Sequence, residues 1–175
     1  MALIEKPWYR EGRIRGPKIP GHTLFSARGI DRSKSCILKR IKTPWMLPGL
    51  SCRDLVAILV KYKEDGAERR LVVCCAYLPY CSEDPPTSKQ SEELARYCDS
   101  KNLHLVIGYE FNARHILWDN TNFNDRGKAM VEFLNSSNLE ILNQGSKPTF
   151  CSGGRLEMID ITLGFFGLLE SIPSW

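Results

Sequence analysis

Strands mixed with helices along the whole chain predict an α+β or α/β sandwich in which strands outnumber helices. Three observations carry that class. Short β-rich runs bounded by turn residues recur from Leu24 to Leu163. Two segments, one near Thr87 and one after Asp125, place apolar residues at helical spacing. A length of 175 residues suffices for one sizeable core, so a single domain over 1–175 is expected.

The elements follow in order. IEKPWYR, near the start, reads as a short polar turn with one aromatic anchor, and REGRIRGPKIPGH (10–22) as an irregular basic loop rich in Gly, Pro and Arg. Strands are expected at Leu24–Arg28, Ser35–Ile41, Leu55–Lys61 and Leu71–Tyr77, with KEDGAER as the hairpin turn between the last two. Pro79, Pro85 and Pro86 break the next stretch into a loop, and Thr87 with Gln90 has the spacing of a capping box for a helix burying Leu94, Tyr97 and Cys98. A strand at Leu103–Ile107 follows. Asp125 is the expected cap of a second helix whose inner face carries Ala129, Met130, Phe133 and Leu134. A strand at Leu139–Leu142, the turn NQGSKP and a last strand at Leu156–Leu163 come next, before an apolar tail from Phe165 to Trp175.

Composition narrows the class further. The longest apolar run, Leu71–Tyr80, is too short to span a bilayer, and the N-terminus lacks the apolar core of a signal peptide, so a soluble intracellular protein without a membrane role is expected. The seven cysteines form no CxxC pair, which points to scattered buried thiols, not zinc or a disulfide framework. Charge is uneven: residues 1–70 hold 16 Lys/Arg against 7 Asp/Glu, and residues 71–175 hold 8 against 13. A basic N-terminal half suits a phosphate backbone and equally suits a solvated surface.

Chemistry gathers in LVIGYEFNARHILWDN (105–120), where Glu110, Asn112 and His115 follow a buried strand. A carboxylate there activates water or binds a hard cation, the amide holds a phosphate oxygen or the water, and a protonated imidazole binds phosphate. Tyr77, ending the strand in AYLPY, offers a phenol as phosphate donor or packs at the core rim. Asp160, in the middle of the apolar strand MIDITL, needs a cation, a histidine or a donor network if it is buried.

Together these stretches resemble the apurinic-like endonuclease domain of non-LTR (jockey-type) retrotransposons, in the endonuclease/exonuclease/phosphatase superfamily. The residues that carry the resemblance are IEKPW, GRIRG, SCRDLV, AYLPY, GYEFNARHILW, NDRGKAMVEFL, NLEILNQGSKPTF and EMIDITL, in that order. It implies a DNase I-like fold, a four-layer β-sandwich flanked by helices and incomplete at both termini. It also implies Mg²⁺-dependent nicking of target DNA, hence DNA as partner, Mg²⁺ as cofactor, no small-molecule cofactor, and access to the nucleus. By the same resemblance Tyr77 contacts phosphate, Glu110 and Asn112 take the places of an Asp-x-Asn pair at the attacking water, and Asp160 that of an Asp supporting a catalytic His. Arg114 and His115 stand at paired substrate-binding histidines.

The chain departs from that pattern in several places. Lys6 stands at the metal-binding Glu, with Glu5, the remaining candidate metal ligand, where the family has Gln. Neighbouring strand residues face opposite ways, which argues against Glu5 and Lys6 reaching one point. Glu110 is one methylene longer than the family Asp, Arg114 replaces a histidine, and no His follows position 115. Two readings from different classes stay open, an active metal-dependent endonuclease and an inactive nucleic-acid-binding remnant. A third keeps the superfamily with a small phosphoester as substrate, but GRIRG, NDRG and NLEILNQG favour the retrotransposon branch.

Overall fold

The structure, a computed structural model, describes residues 1–11, 13–15, 19–27, 32–40, 44–80, 89–118, 120–143 and 147–165. Its centre is a hairpin of two long strands, β7 (Leu55–Glu64) and β8 (Ala67–Tyr77), paired from Leu55↔Ala76 to Glu64↔Ala67. The connection is the two-residue turn Asp65–Gly66, with φ of +48° and +80°, the doubly left-handed geometry whose twist suits a hairpin. Gly66 adopts it freely, and aspartate is among the side chains that tolerate it best.

In chain order, the remaining elements are β1 (Ala2–Glu5), β2 (Tyr9–Arg10), β3 (Arg13–Ile14), β4 (His22–Phe25), β5 (Ser35–Arg40) and β6 (Trp45–Met46) before the hairpin. After it come α1 (Lys89–Ser100), β9 (His104–Glu110), α2 (Asp125–Ser136), β10 (Leu139–Ile141), β11 (Phe150–Ser152), β12 (Arg155–Glu157) and β13 (Asp160–Phe165). A six-stranded sheet runs β10-β13-β9-β8-β7-β6 and a three-stranded sheet runs β1-β5-β4. Only β8 and β9 pair in parallel within the large sheet, and α1 supplies the crossover that a parallel pair requires.

The half of the hairpin formed by Leu55–Ile58 and Val72–Ala76 is buried on both faces, as its apolar sequence demands, while the turn half is charged and largely exposed. Leu55, Ala57, Val72, Cys74 and Ala76 share a core with Leu94, Ala95 and Cys98 of α1 and Met130 and Phe133 of α2. Val56, Ile58, Val73 and Cys75 pack the other way, against Ile37 of β5 with Leu3 and Phe25 at the margin. The expected sandwich is therefore present, and the described residues supply helices, large sheet and small sheet as successive layers. Gly108 of β9 marks how closely the sheets approach, since a Cβ there would lie 2.4 Å from Leu3 Cδ1.

Several expectations change. IEKPW is not a turn up to Glu5: Ala2–Glu5 is a strand paired with Ser35–Leu38 of β5. The basic loop at 10–22 contains the small ribbon β2–β3. Leu103–Ile107 extends to Glu110, so Glu110 ends a strand and does not sit in a loop. The cap of α2 is Asn124, whose side chain accepts from Gly127 N, and Asp125 is the first helical residue. The expected strand at Leu156–Leu163 splits into β12 and β13 at Met158–Ile159, which puts Asp160 at the start of β13 instead of mid-strand. Thr87, its capping box and the tail beyond Phe165 lie outside the described residues. Among the described cysteines all are free and four are buried. No described helix is long and apolar enough to cross a membrane.

Candidate functional site

Strand register brings the predicted residues together. Tyr77 pairs with Glu110 across β8 and β9, and Glu110 pairs with Asp160 across β9 and β13. Directly opposed residues share a face, so phenol and two carboxylates form one row at the end of the large sheet. That face is the one covered by the small sheet, for Cys75, Gly108 and Thr162 form the next row inward. Strand β1 runs over it and ends at Glu5, beside the row.

Lys6 follows with φ of +47°, its backbone N–H donating to Lys34 O at 2.7 Å. This left-handed residue breaks the alternation of the strand, so Glu5 and Lys6 both approach the row, contrary to the expectation from strand geometry. Lys6 Nζ lies 2.6 Å from Glu110 Oε1 and 5.3 Å from the centre of the Tyr77 ring. Its side chain is 51% exposed while that of Glu110 is 6% exposed. A half-exposed ammonium thus caps a buried carboxylate, and that contact raises the lysine's pKa above its ordinary value.

The other carboxyls are held differently. Glu5 Oε1 accepts from Cys75 Sγ at 3.4 Å, and burial raises its pKa, with the charges of Asp160 and Glu110 adding to the rise. Burial also raises the pKa of Asp160, opposed by a hydrogen bond from the Thr149 hydroxyl. The donor network that Asp160 called for is therefore Thr149, whose Oγ1 also accepts from the Ile159 and Asp160 amides at 3.0 and 3.1 Å.

Asn112, with φ of +50°, turns back to donate from Nδ2 to Leu78 O at 3.0 Å and to Glu110 Oε1 at 3.4 Å. Arg126, at the start of α2, donates from Nη2 to Phe111 O and Leu78 O at 2.9 and 3.3 Å, and so ties the loop after Tyr77 to the loop carrying Asn112. Arg126 and Thr149 had no signal of their own in the sequence, because each acts on backbone that only the fold brings near.

Arg114 and His115 are placed otherwise. Arg114 Nη1 is 3.3 Å from Glu157 Oε1, a carboxylate shared with Arg155. His115 Nδ1 accepts from Leu117 N at 3.2 Å, and the ring packs by Trp118 and Phe123 at 5.3 and 6.1 Å between centroids. Both residues lie on the loop after Asn112, and neither has a described contact with the Tyr77–Glu110–Asp160 row.

The residues present do not fit a divalent ion. Mg²⁺ needs a free carboxylate or two with room for water, yet Lys6 occupies the accessible side of Glu110 and Glu5 takes a thiol hydrogen bond. Among the described residues no group of three or more His, Cys, Asp and Glu is placed to hold a metal. What the site offers is a cation already in position, a phenol and an amide. Lys6, Lys34 and Arg53 are neighbours through backbone bonds from Lys6 N to Lys34 O and from Lys34 N to Arg53 O, each 2.7 Å.

Comparison with known proteins agrees with this architecture. The endonuclease domain of TRAS1, a telomere-specific non-LTR retrotransposon, matches with a TM-score of 0.73 at 23% identity, over 90% of this chain and 73% of that one. The human Nocturnin catalytic domain with bound sulfate anion matches at 0.51 and 12% identity, over 83% of this chain and 60% of that one. At such identities the likeness is one of fold, the DNase I-like sandwich. A search of curated proteins by sequence returns no match. The profile of the endonuclease-reverse transcriptase family covers residues 71–168, from β8 through the row and past β13. With more than half of its length so matched, the chain belongs to the endonuclease-reverse transcriptase family of the endonuclease/exonuclease/phosphatase superfamily.

Proposed function

We propose that this domain binds the phosphodiester backbone of DNA at the end of the large sheet and does not cut it by the metal-assisted route. The observation that carries the reading is the Lys6 ammonium on Glu110, 2.6 Å away, at the head of the Tyr77–Glu110–Asp160 row. In metal-assisted hydrolysis a cation stabilises the developing charge and a carboxylate or bound hydroxide supplies the nucleophile. Here the carboxylate best placed for water is engaged by an ammonium, so the row retains groups that hold a phosphate and lacks a free base.

In this reading Lys6 donates to nonbridging oxygens beside the Tyr77 ring, Glu110 anchors Lys6 and Asn112, Asp160 adds its charge near Lys6, and the neighbouring Lys34 and Arg53 add positive charge. Phosphate contacts of this kind give affinity without sequence preference. Arg114 and His115 lie on a flanking loop where they meet the duplex away from the scissile position. Supercoiled plasmid incubated with Mg²⁺ is expected to stay intact, while mobility-shift binding to the same DNA weakens steeply with salt. Nicking that EDTA abolishes and Glu110→Ala removes would replace this reading with an active endonuclease.

A further inference from the structure

We infer that Lys6 is the site's resident cation: its ammonium replaces a divalent ion at the carboxylates, and phosphate binds there through Lys6 without metal. The inference deepens the function proposed above and rests on it. Its ground is a set of independent facts about one side chain. The first is position, since Nζ is 2.6 Å from Glu110 Oε1 and above the Tyr77 ring at 5.3 Å. The second is backbone: the residue adopts φ of +47° and is fixed by its bond to Lys34 O, which aims a residue beyond the strand at the row. A non-glycine residue in that region is uncommon and persists where surroundings hold it.

The third fact is exposure. Half of the Lys6 side chain faces solvent while Glu110 lies beneath it. An ammonium carries three donors. One is committed to Glu110, and the half-exposed side chain leaves the others to an incoming phosphate oxygen. The row then works as a stack: Asn112 on Glu110, Glu110 under Lys6, and phosphate above. A divalent ion placed at Glu110 would have to displace an ammonium of like charge, and the other nearby carboxyls do not compensate, for Glu5 receives Cys75 Sγ and Asp160 receives Thr149.

The sign of the Mg²⁺ effect on binding is therefore diagnostic. With a resident lysine, Mg²⁺ only competes for DNA phosphates and weakens the complex; with a metal-requiring site, Mg²⁺ tightens it. Anisotropy of a short fluorescein-labelled duplex, titrated in EDTA and in Mg²⁺ over a range of NaCl, reads this directly. Manganese electron paramagnetic resonance reads metal uptake without DNA. The native chain is expected to bind DNA at least as tightly in EDTA as in Mg²⁺ and to leave Mn²⁺ free. Lys6→Met should make the slope of log K against log salt shallower by about 1, one phosphate contact's worth, and Lys6→Arg should restore it. Lys6→Glu should take up Mn²⁺ and bind DNA more tightly in Mg²⁺ than in EDTA.

Mn²⁺ uptake by the native chain overturns the inference, as does a Lys6→Met slope equal to the native one in protein whose circular dichroism is native. Absence of DNA binding by the native chain overturns the broader functional reading instead, and the manganese measurement still judges whether Lys6 excludes the ion.

Discussion

Glu5 illustrates how single side chains here obey their surroundings more than their type. Burial raises its pKa from 4.5, so the folded chain holds that proton more tightly than the unfolded chain does. For a carboxyl shifted upward the sign is clear: its full contribution is present below about 4.5, and stability falls as pH rises toward the higher folded value. Asp160 adds a loss of the same sign starting from 3.8. Glu5→Gln is therefore expected to melt higher than the native chain near neutral pH, with the gain absent well below 4.5 in thermal melts across pH. Gly127 is a steric case. A Cβ there would sit 1.9 Å from Arg114 O, a backbone atom that cannot swing aside. Gly127→Ala should cost about 3 kcal/mol or more in urea unfolding. Asn124→Ala should cost about 1–2 kcal/mol, because its Oδ1 caps α2 at Gly127 N and also accepts from Arg114 N.

At the scale of elements, the site depends on joints where ladders end and side chains take over. Strand β13 begins after a break at Met158–Ile159, and the buried Asn120 bridges that break with Nδ2 to Met158 O at 2.9 Å and Oδ1 from Met158 N at 3.2 Å. Thr149 continues the bridging at Ile159 and Asp160. Removing the amide leaves a buried donor and acceptor unpaired, so Asn120→Ala should lower stability by about 2–3 kcal/mol. Amide exchange at the start of β13 should rise more than exchange in the β7–β8 hairpin. Equal increases in both would show that Asn120 acts on the whole fold and not on the joint. The hairpin was legible in advance because a β-rich run, DG and a second β-rich run are local signals. The break at Met158 was not, because the apolar residues continue through it and side chains distant in sequence, Asn120 and Thr149, end the ladder.

Among the described residues the two larger cores lie between two sheets and two helices, with the row at one end of their shared sheet. Among the described residues no group of three or more His, Cys, Asp and Glu is placed to hold a metal, and the cysteines are free. Thermal midpoints should accordingly be the same with and without EDTA and with and without reductant. A ligand held by the folded state alone would instead add RT ln(1 + [L]/Kd) to stability, so a drop in midpoint on adding EDTA would reveal a bound ion. Charge is also unequal along the sequence, with 16 Lys/Arg against 7 Asp/Glu in residues 1–70, and Lys6 of that half stands at Glu110. Association with DNA should slow as well as weaken with salt in stopped-flow mixing, since an excess of positive charge in the N-terminal half steers a polyanion at long range.

The sequence by itself determined the strand-rich class, the central hairpin, both helices and the family resemblance, because each rests on local periodicity, turn chemistry or ordered motifs. It also singled out Tyr77, Glu110 and Asp160 as separate oddities. Only tertiary structure decided that these three share one row, since register between β8, β9 and β13 joins residues 33 and 50 positions apart, and no local pattern encodes that pairing. The same holds for Lys6. In the linear chain it is a cation beside a carboxylate in a polar turn. A left-handed backbone angle at the end of β1, set by the pairing with β5 and the bond to Lys34, carries its ammonium onto Glu110, where the resemblance implies a metal.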